Sequence, residues 1–555
     1  MTSRALNPDP ASGYHRSPDT VMRLARMGSA HASRLSFLRV MLRRIKAEGW
    51  RFDRPVWQID ATGVGRAVYR AMGPDRTYSL VAFAHDLPDH MRSDRVIATA
   101  WDATFALFDG TPDAADLERL ATNVPLQEAG RVSPHELTLL RANRSVRLFA
   151  HVVDRLAAGH QPDATEIDAV GYLMRTTAVY GSGKFGAADR DSIAGRAEMT
   201  GPFQAEMLSV WLVRAFSVDL ADHLAAAKGG AAAVRLDPDL RRRLGVGNAT
   251  GLGMAPFLVR HPVLLNNWMM AREEALARVC ALGEAGLGES AVFAKAITEA
   301  QDNAAAWRSA HPVQLEKVAD LRADLGRLAA YVATDWDKSR ARPWNALWLW
   351  GEENLSLEGQ EQLLSLLLEP HGALVDGLAD GMTADEDAAF AIDGAMSVAR
   401  LRGLLNERYG WALGQDYAGP QASARFWYVS QEKLEPRLGE RYAEAGAERE
   451  QPLDIARQAD ALFTALREWP GDVPLARFLL TCPEHRHVVR RVQAAERRPF
   501  AEIRDNLIAA DMLPIDLLRC KLAFFGATHF DPRSDRWVRI SLFQGAPFPD
   551  ELPGA

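Results

Sequence analysis

Cysteine is scarce in this chain. Cys280, Cys482 and Cys520 are the only three, odd in number and far apart. That spacing argues against a disulfide framework and fits a reducing compartment, so a cytoplasmic location is expected. Lysine is scarce too, with eight of the 65 basic residues, which makes Lys184 conspicuous. A basic excess is lacking: the formal charge of −7 argues against nucleic acid as a partner, because its binders carry a strong positive surplus. No run of about 18 apolar residues occurs, so no transmembrane segment is expected. Residues 1–14 are polar and carry no apolar signal core. HExxH, GxSxG and EF-hand patterns are missing as well, and no cofactor is assigned.

The 555 residues are 48% hydrophobic and 25% charged, a globular balance, and the length calls for more than one packed unit. The patterning predicts a predominantly helical α+β protein, with several packed helices and one small antiparallel sheet. N-terminal hairpin strands and C-terminal strands would form that sheet together, since short strands are unstable alone. Four segments are expected: a basic amphipathic helix over 1–50, a β-hairpin segment over 51–130, a helical region with two glycine-rich loops over 131–415, and a C-terminal region with returning strands and helices over 416–555.

Ser17-Pro18 reads as a helix start, and a single helix is expected to run to Glu48. Its arginines suit either docking on its own domain or an RNA or membrane surface. Strands are expected at 56–61, 66–72 and 77–84, with Gly73-Pro74-Asp75 as a turn, and a fourth within 96–108. Gly63-Val64-Gly65 shares two glycines with a kinase glycine loop. The third glycine and the lysine, HRD and DFG motifs are absent, so a bulge or tight bend is the better reading.

Helices are expected from Thr111-Pro112, from a capping box at Ser133 to Glu136, and from Thr165 through Val179. Others should start at Pro202 and Pro262, flank His311-Pro312, and be capped by Thr383 with Glu386 and by Thr481 with Glu484. Strands return at 425–429 and 537–543.

Two glycine-bearing stretches draw chemical interest. In Tyr172 to Arg190, Gly-Ser-Gly-Lys-Phe-Gly lacks the spacing of a phosphate loop and is expected to follow a helix, whose dipole there disfavours an anion. Its glycines still allow close backbone approach, and Arg175 and Lys184 supply charge beside Thr176. The plainer reading is a helix C-cap and a surface turn. In Gly245 to Pro256, Asn248 and Thr250 precede an expected helix near Met254, the right order for amides to hold phosphate or carboxylate. The plainer reading there is an N-cap. Arg425, in the polar-aromatic run Asp416 to Lys433, can fix the same kind of group.

Tyr180, His261, Glu353 and Tyr428 are candidates for proton transfer. Glu352 and Glu353 lie beside Trp344, Trp348 and Trp350, and aromatic walls raise a carboxyl pKa; equally, both stand in solvent ahead of a Ser356 N-cap. Cys482, Glu484, His485 and His487 have the chemistry of zinc ligands, with Cys520 and His529 as an undemanded second pair, so no metal is assigned. His529 with Asp531 or Asp535 reads as an orienting pair or as a turn.

The sequence therefore leads to an enzyme, a transferase or lyase, acting on a small anionic metabolite, phosphorylated or carboxylated. A homo-oligomer is allowed. The competing readings are a non-catalytic helical scaffold, and an RNA or membrane-surface partner docking through the basic N-terminal helix.

Overall fold

The computed structural model describes residues 15–92, 100–126, 130–176, 190–193, 195–250, 261–307, 312–383, 391–417, 452–504, 514–528 and 538–552. The chain forms two compact units. One comprises Ser36–Ala249, Trp307–Ser309 and Phe524–Ala555; the other comprises Met1–Leu35, Thr250–Ala306 and Ala310–Ala523.

The first unit contains an eight-stranded sheet: β1 (Arg51–Ile59), β2 (Gly65–Met72), β3 (Thr77–Ala84), β4 (Ala103–Asp109), β5 (Glu136–Arg144), β6 (Tyr172–Thr176), β7 (Gly245–Thr250) and β8 (Val538–Leu542). The strands lie in sequence order. β1 through β6 are antiparallel, whereas β6 and β7 run parallel. The expected small antiparallel sheet is therefore corrected to a larger, mixed one. The N-terminal hairpins and the late strand β8 do belong to it as expected; residues 425–429 lie outside the described residues. Gly63 and Gly65 form the β1–β2 turn, and a side chain at Gly65 would strike the Gln58 carbonyl, its Cβ 1.9 Å from that oxygen.

Two expected helices are strands, for identifiable reasons. Ser133 and Glu136 do bond to each other, and Glu136 also accepts from the Val132 amide. They close a turn ahead of β5, however, because Leu137, Leu139 and Leu140 are buried between neighbouring strands, and a run apolar on both faces cannot be told from a helix by period. The helix expected from Thr165 stops at Asp168, where Gly171 (φ 76°) bonds back to the Ile167 carbonyl. Tyr172–Thr176 is then free to pair with β5.

Helices cover both faces of the sheet. They are α1 (Phe37–Ala47), α2 (Ala114–Asn123), α3 (Phe149–Ala157) and α4 (Gln204–Gly229). On one face Val68, Val81, Ala106 and Leu139 pack with Leu117, Leu120 and Val124 from α2 and its C-cap. α2 starts at a capping box between Asp113 and Asp116. Asp113→Ala is expected to cost about 1 kcal/mol, read as a shift in the urea midpoint; no shift would show that packing alone holds α2.

The other face curls over α4. Phe216 touches Trp57, Tyr69 and Phe105 on three strands, and Thr138 shares a 2.8 Å hydrogen bond with Ser209. The apolar face read from Phe203 to Phe216 is buried, as are most of its neighbours. Arg214 lies fully buried among carbonyls, donating to Leu244 (2.6 Å), Ala546 (2.9 Å) and Arg242 (3.3 Å), with its guanidinium 3.7 Å from the Phe548 ring centre. Burial pushes its pKa down to about 9, so it stays protonated at neutral pH.

The second unit is helical: α5 (Pro262–Cys280), α6 (Leu287–Ala306), α7 (Pro312–Thr334), α8 (Pro343–Asn354), α9 (Leu357–Leu367), α10 (Val398–Tyr409), α11 (Pro452–Arg467), α12 (Leu475–Thr481) and α13 (Arg486–Ala495). Ser356 caps α9 as read. The cap of α10 is Ser397 rather than Thr383, and Thr481 ends α12 instead of opening a helix.

The helix expected over 18–48 is broken into Pro18–Val21, Leu24–Met27 and α1. Ser17 does cap the first. The break between the last two has local causes. Gly28 is extended, and any side chain there would collide with the Arg519–Cys520 backbone at 2.4 Å. The Ser29 and Ser33 hydroxyls bond to nearby backbone, competing with helix.

Arg16 and Arg26 dock inward in the second unit. Glu361 of α9 accepts from Arg16 at 2.6 Å and Arg26 at 3.3 Å, and pairs with Arg272 of α5. Glu273 takes a second fork from Arg16 at 2.8 and 2.9 Å. Both carboxylates are fully buried.

Candidate functional site

The sheet changes direction sense at β6 and β7, and that place holds the readable part of the expected site. The register sets Tyr172 beside Gly245 and Arg175 beside Gly247. Because the strands are parallel, their carboxyl ends lie side by side at one end of the sheet. Residues 177–189 follow one strand and residues 251–260 the other. Ligands of α/β sheets bind outside such carboxyl ends. The strand β6, in place of the expected helix, covers Tyr172–Thr176 ahead of the Lys184 segment.

Arg175 and Thr176 are both buried, at 6% and 2% exposure. Arg175 sits opposite Asn143 of β5, whose side-chain oxygen accepts from the Asp102 amide at 2.9 Å. The Thr176 hydroxyl donates to the Arg141 carbonyl at 3.2 Å, and the Arg141 guanidinium lies 4.5 Å from the Trp101 ring centre. Asn248 and Thr250 are strand residues at the end of β7; the helix expected near Met254 lies outside the described residues. Gly245 and Gly247 have structural reasons: a side chain at 245 would meet the Leu542 carbonyl at 2.2 Å, and one at 247 the Tyr172 ring at 2.6 Å.

The other candidates belong to the helical unit or lie outside the described residues. His261 is the N-cap residue of α5, without a side-chain cap. Glu353 is exposed near the end of α8. In the same helix Trp344 and Trp348 are core residues, and Trp350 stacks on Tyr331 at 4.0 Å. Tyr180, Lys184, Arg425 and Tyr428 lie outside the described residues, as do His529, Asp531 and Asp535.

Among the described residues no three histidine, cysteine or acidic side chains group as metal ligands. Cys482 is the C-cap residue of α12, and the His485 ring stacks on Phe478, with burial lowering the His485 pKa. Cys280 is buried, which pushes its thiol up to about 12. None of the three cysteines forms a disulfide.

Sequence reading missed the Arg16–Arg272–Glu273–Glu361 cluster and the environment of Arg214. The available signal was charge in the middle of apolar helices, as in Met269-Met270-Ala271-Arg272-Glu273. These features define an α+β protein with a mixed sheet and a helical unit, and among its described residues no helix is long and apolar enough to cross a membrane. Comparison with family models, curated proteins and solved structures found no match to this chain.

Proposed function

We propose that the chain is a cytoplasmic enzyme that binds a small phosphorylated or carboxylated metabolite at the carboxyl ends of β6 and β7, for group transfer or elimination. The observation that carries this reading is the parallel pairing of the two strands, with Arg175 between Asn143 and Gly247. It brings the starts of both glycine-bearing segments to the same end of the sheet. In this reading Lys184 and Arg175 bind the anion, with Thr176 and Asn248 around it. Tyr180, four residues before Lys184 in the same segment, is the proton-transfer candidate. Such chemistry needs positioned cations and one base. Docking of the N-terminal segment on RNA or a membrane is less supported, because Arg16 and Arg26 are engaged by internal carboxylates.

The test is a thermal-stability screen of native protein and Lys184→Ala against phosphorylated and carboxylated metabolites. A ligand at 100 times its Kd stabilises by about 2.7 kcal/mol, and that gain should be lost in the variant. An equal shift in both proteins, or none with any metabolite, counts against the reading.

A further inference from the structure

In the helical unit, the short turns that follow α9 carry a buried histidine beside a clamp on the N-terminal segment. His371 ends the turn Glu369–His371 and is 8% exposed. Its ring meets that of Trp344 edge to face, 4.7 Å between centres. Trp344 is itself fully buried against Phe293 and Trp336. Neither His371 Nε2 nor Trp344 Nε1 has a hydrogen-bond partner among the described residues. An imidazolium carries a proton on both ring nitrogens, so its Nε2–H would be buried without an acceptor, and uncompensated buried charge is costly.

Residues 369–376 also hold the chain just ahead of α1. Arg34 donates to the Glu369 carbonyl at 3.1 Å and forks onto the Asp376 carboxylate at 2.6 and 2.8 Å. His31 stands 3.2 Å from the Glu369 carboxylate. Gly372 gives the guanidinium its room, because a Cβ there would lie 2.0 Å from Arg34 Nη2. Charged groups therefore reach the turn from several elements. Arg34 repels a proton on His371, and Glu289 of α6 attracts one. Arg278 of α5 donates to the Leu374 carbonyl at 3.2 Å and adds a second positive group. Glu369 and Asp376 are engaged by His31 and Arg34. The His31–Glu369 contact is strengthened by added positive charge, so it resists release in acid and does not drive it. Burial lowers the His371 pKa from the ordinary 6.5, Glu289 opposing and Arg34 adding.

We propose that residues 369–376 form an acid-sensitive latch, in which protonation of His371 drives the turn off Trp344 and so releases Arg34 and His31, freeing residues 29–35 from the helical unit. Arg16 and Arg26 stay anchored on Glu273 and Glu361, so the release is local. The released form takes up the proton first. The closed latch is therefore at full strength above the ordinary pKa of 6.5 and weakens as pH falls below it. That window lies above the one set by Glu273. The latch shares no residue with the β6–β7 site, and neither depends on the other.

The experiment follows hydrogen–deuterium exchange of the full chain between about pH 5 and pH 8, corrected for the intrinsic pH dependence of exchange with an unstructured peptide. Peptides covering 29–36 and 369–376 should lose protection together below about pH 6.5, by about 10-fold, while peptides from α5 and α9 keep theirs. His371→Gln carries no charge at any pH and should remove the step. Glu289→Gln, at an exposed position, removes an attraction for the proton and should move the step to lower pH. This surface change tests the latch even if His371→Gln does not fold. No step in the native chain, a step left unchanged by either variant, or loss of protection in the two stretches at different pH values would overturn the proposal.

Discussion

Glu361→Gln is expected to destabilise the helical unit by about 3–5 kcal/mol, the cost of stranding buried charge by removing its partner. Glu361 is fully buried and meets three guanidinium groups, from Arg16, Arg26 and Arg272. Neutralising it leaves Glu273 as the one carboxylate bonded to Arg16, with Arg26 and Arg272 held mainly by neutral oxygens. Urea unfolding followed by tryptophan fluorescence measures the loss. A change below about 1 kcal/mol would mean that the cluster is effectively solvated.

The same cluster sets an acid limit. Burial pushes the Glu273 carboxyl up, but Arg16, with a smaller contribution from Arg272, outweighs it and holds the pKa below the ordinary value of 4.5. A carboxyl with a depressed folded pKa contributes stability that is full above its unfolded pKa and is lost as pH falls through the folded one. Stability of this unit should therefore decline below about pH 4.5, with Glu358, lowered by Arg519 and Lys317 against its burial, adding in the same direction.

Arg214→Leu is the second large effect, expected at about 2–4 kcal/mol, because several buried carbonyls lose a charged donor at once. Its partners include Leu244, before β7, and Ala546, in the C-terminal segment. Limited proteolysis should accordingly cut the variant near residues 543–552 well before the native chain. Arg214→Lys keeps the charge without the planar fork and should fall between the two. Resistance equal to native protein would show that Trp211, which donates to the Pro547 carbonyl at 2.8 Å, holds the segment by itself.

How much could be read beforehand follows from where the information lies. The early hairpins were legible because turn chemistry and β-branched runs are local: Gly73-Pro74-Asp75 sits between strands as expected. Proline starts and serine caps at Ser17 and Ser356 were legible for the same reason. β5 and β6 were not, since Leu137–Leu140 and Tyr172–Thr176 become strands only through neighbours distant in sequence. The meeting of β6 with β7 is likewise invisible in either stretch alone.

The placement of β8 has a consequence for synthesis. The sheet unit takes its last strand and the carbonyls of 546 and 547 from the end of the chain, after residues Thr250–Ala306 and Ala310–Ala523 of the other unit. While the ribosome is still making that insert, α4 is already translated and Arg214 lacks those acceptors. A nascent chain released early therefore carries an incomplete sheet with an unpaired strand and an uncovered tryptophan. Such ends are what chaperones and proteases engage. For this protein, premature termination anywhere before residue 538 should yield clearance or aggregation, rather than a smaller soluble product.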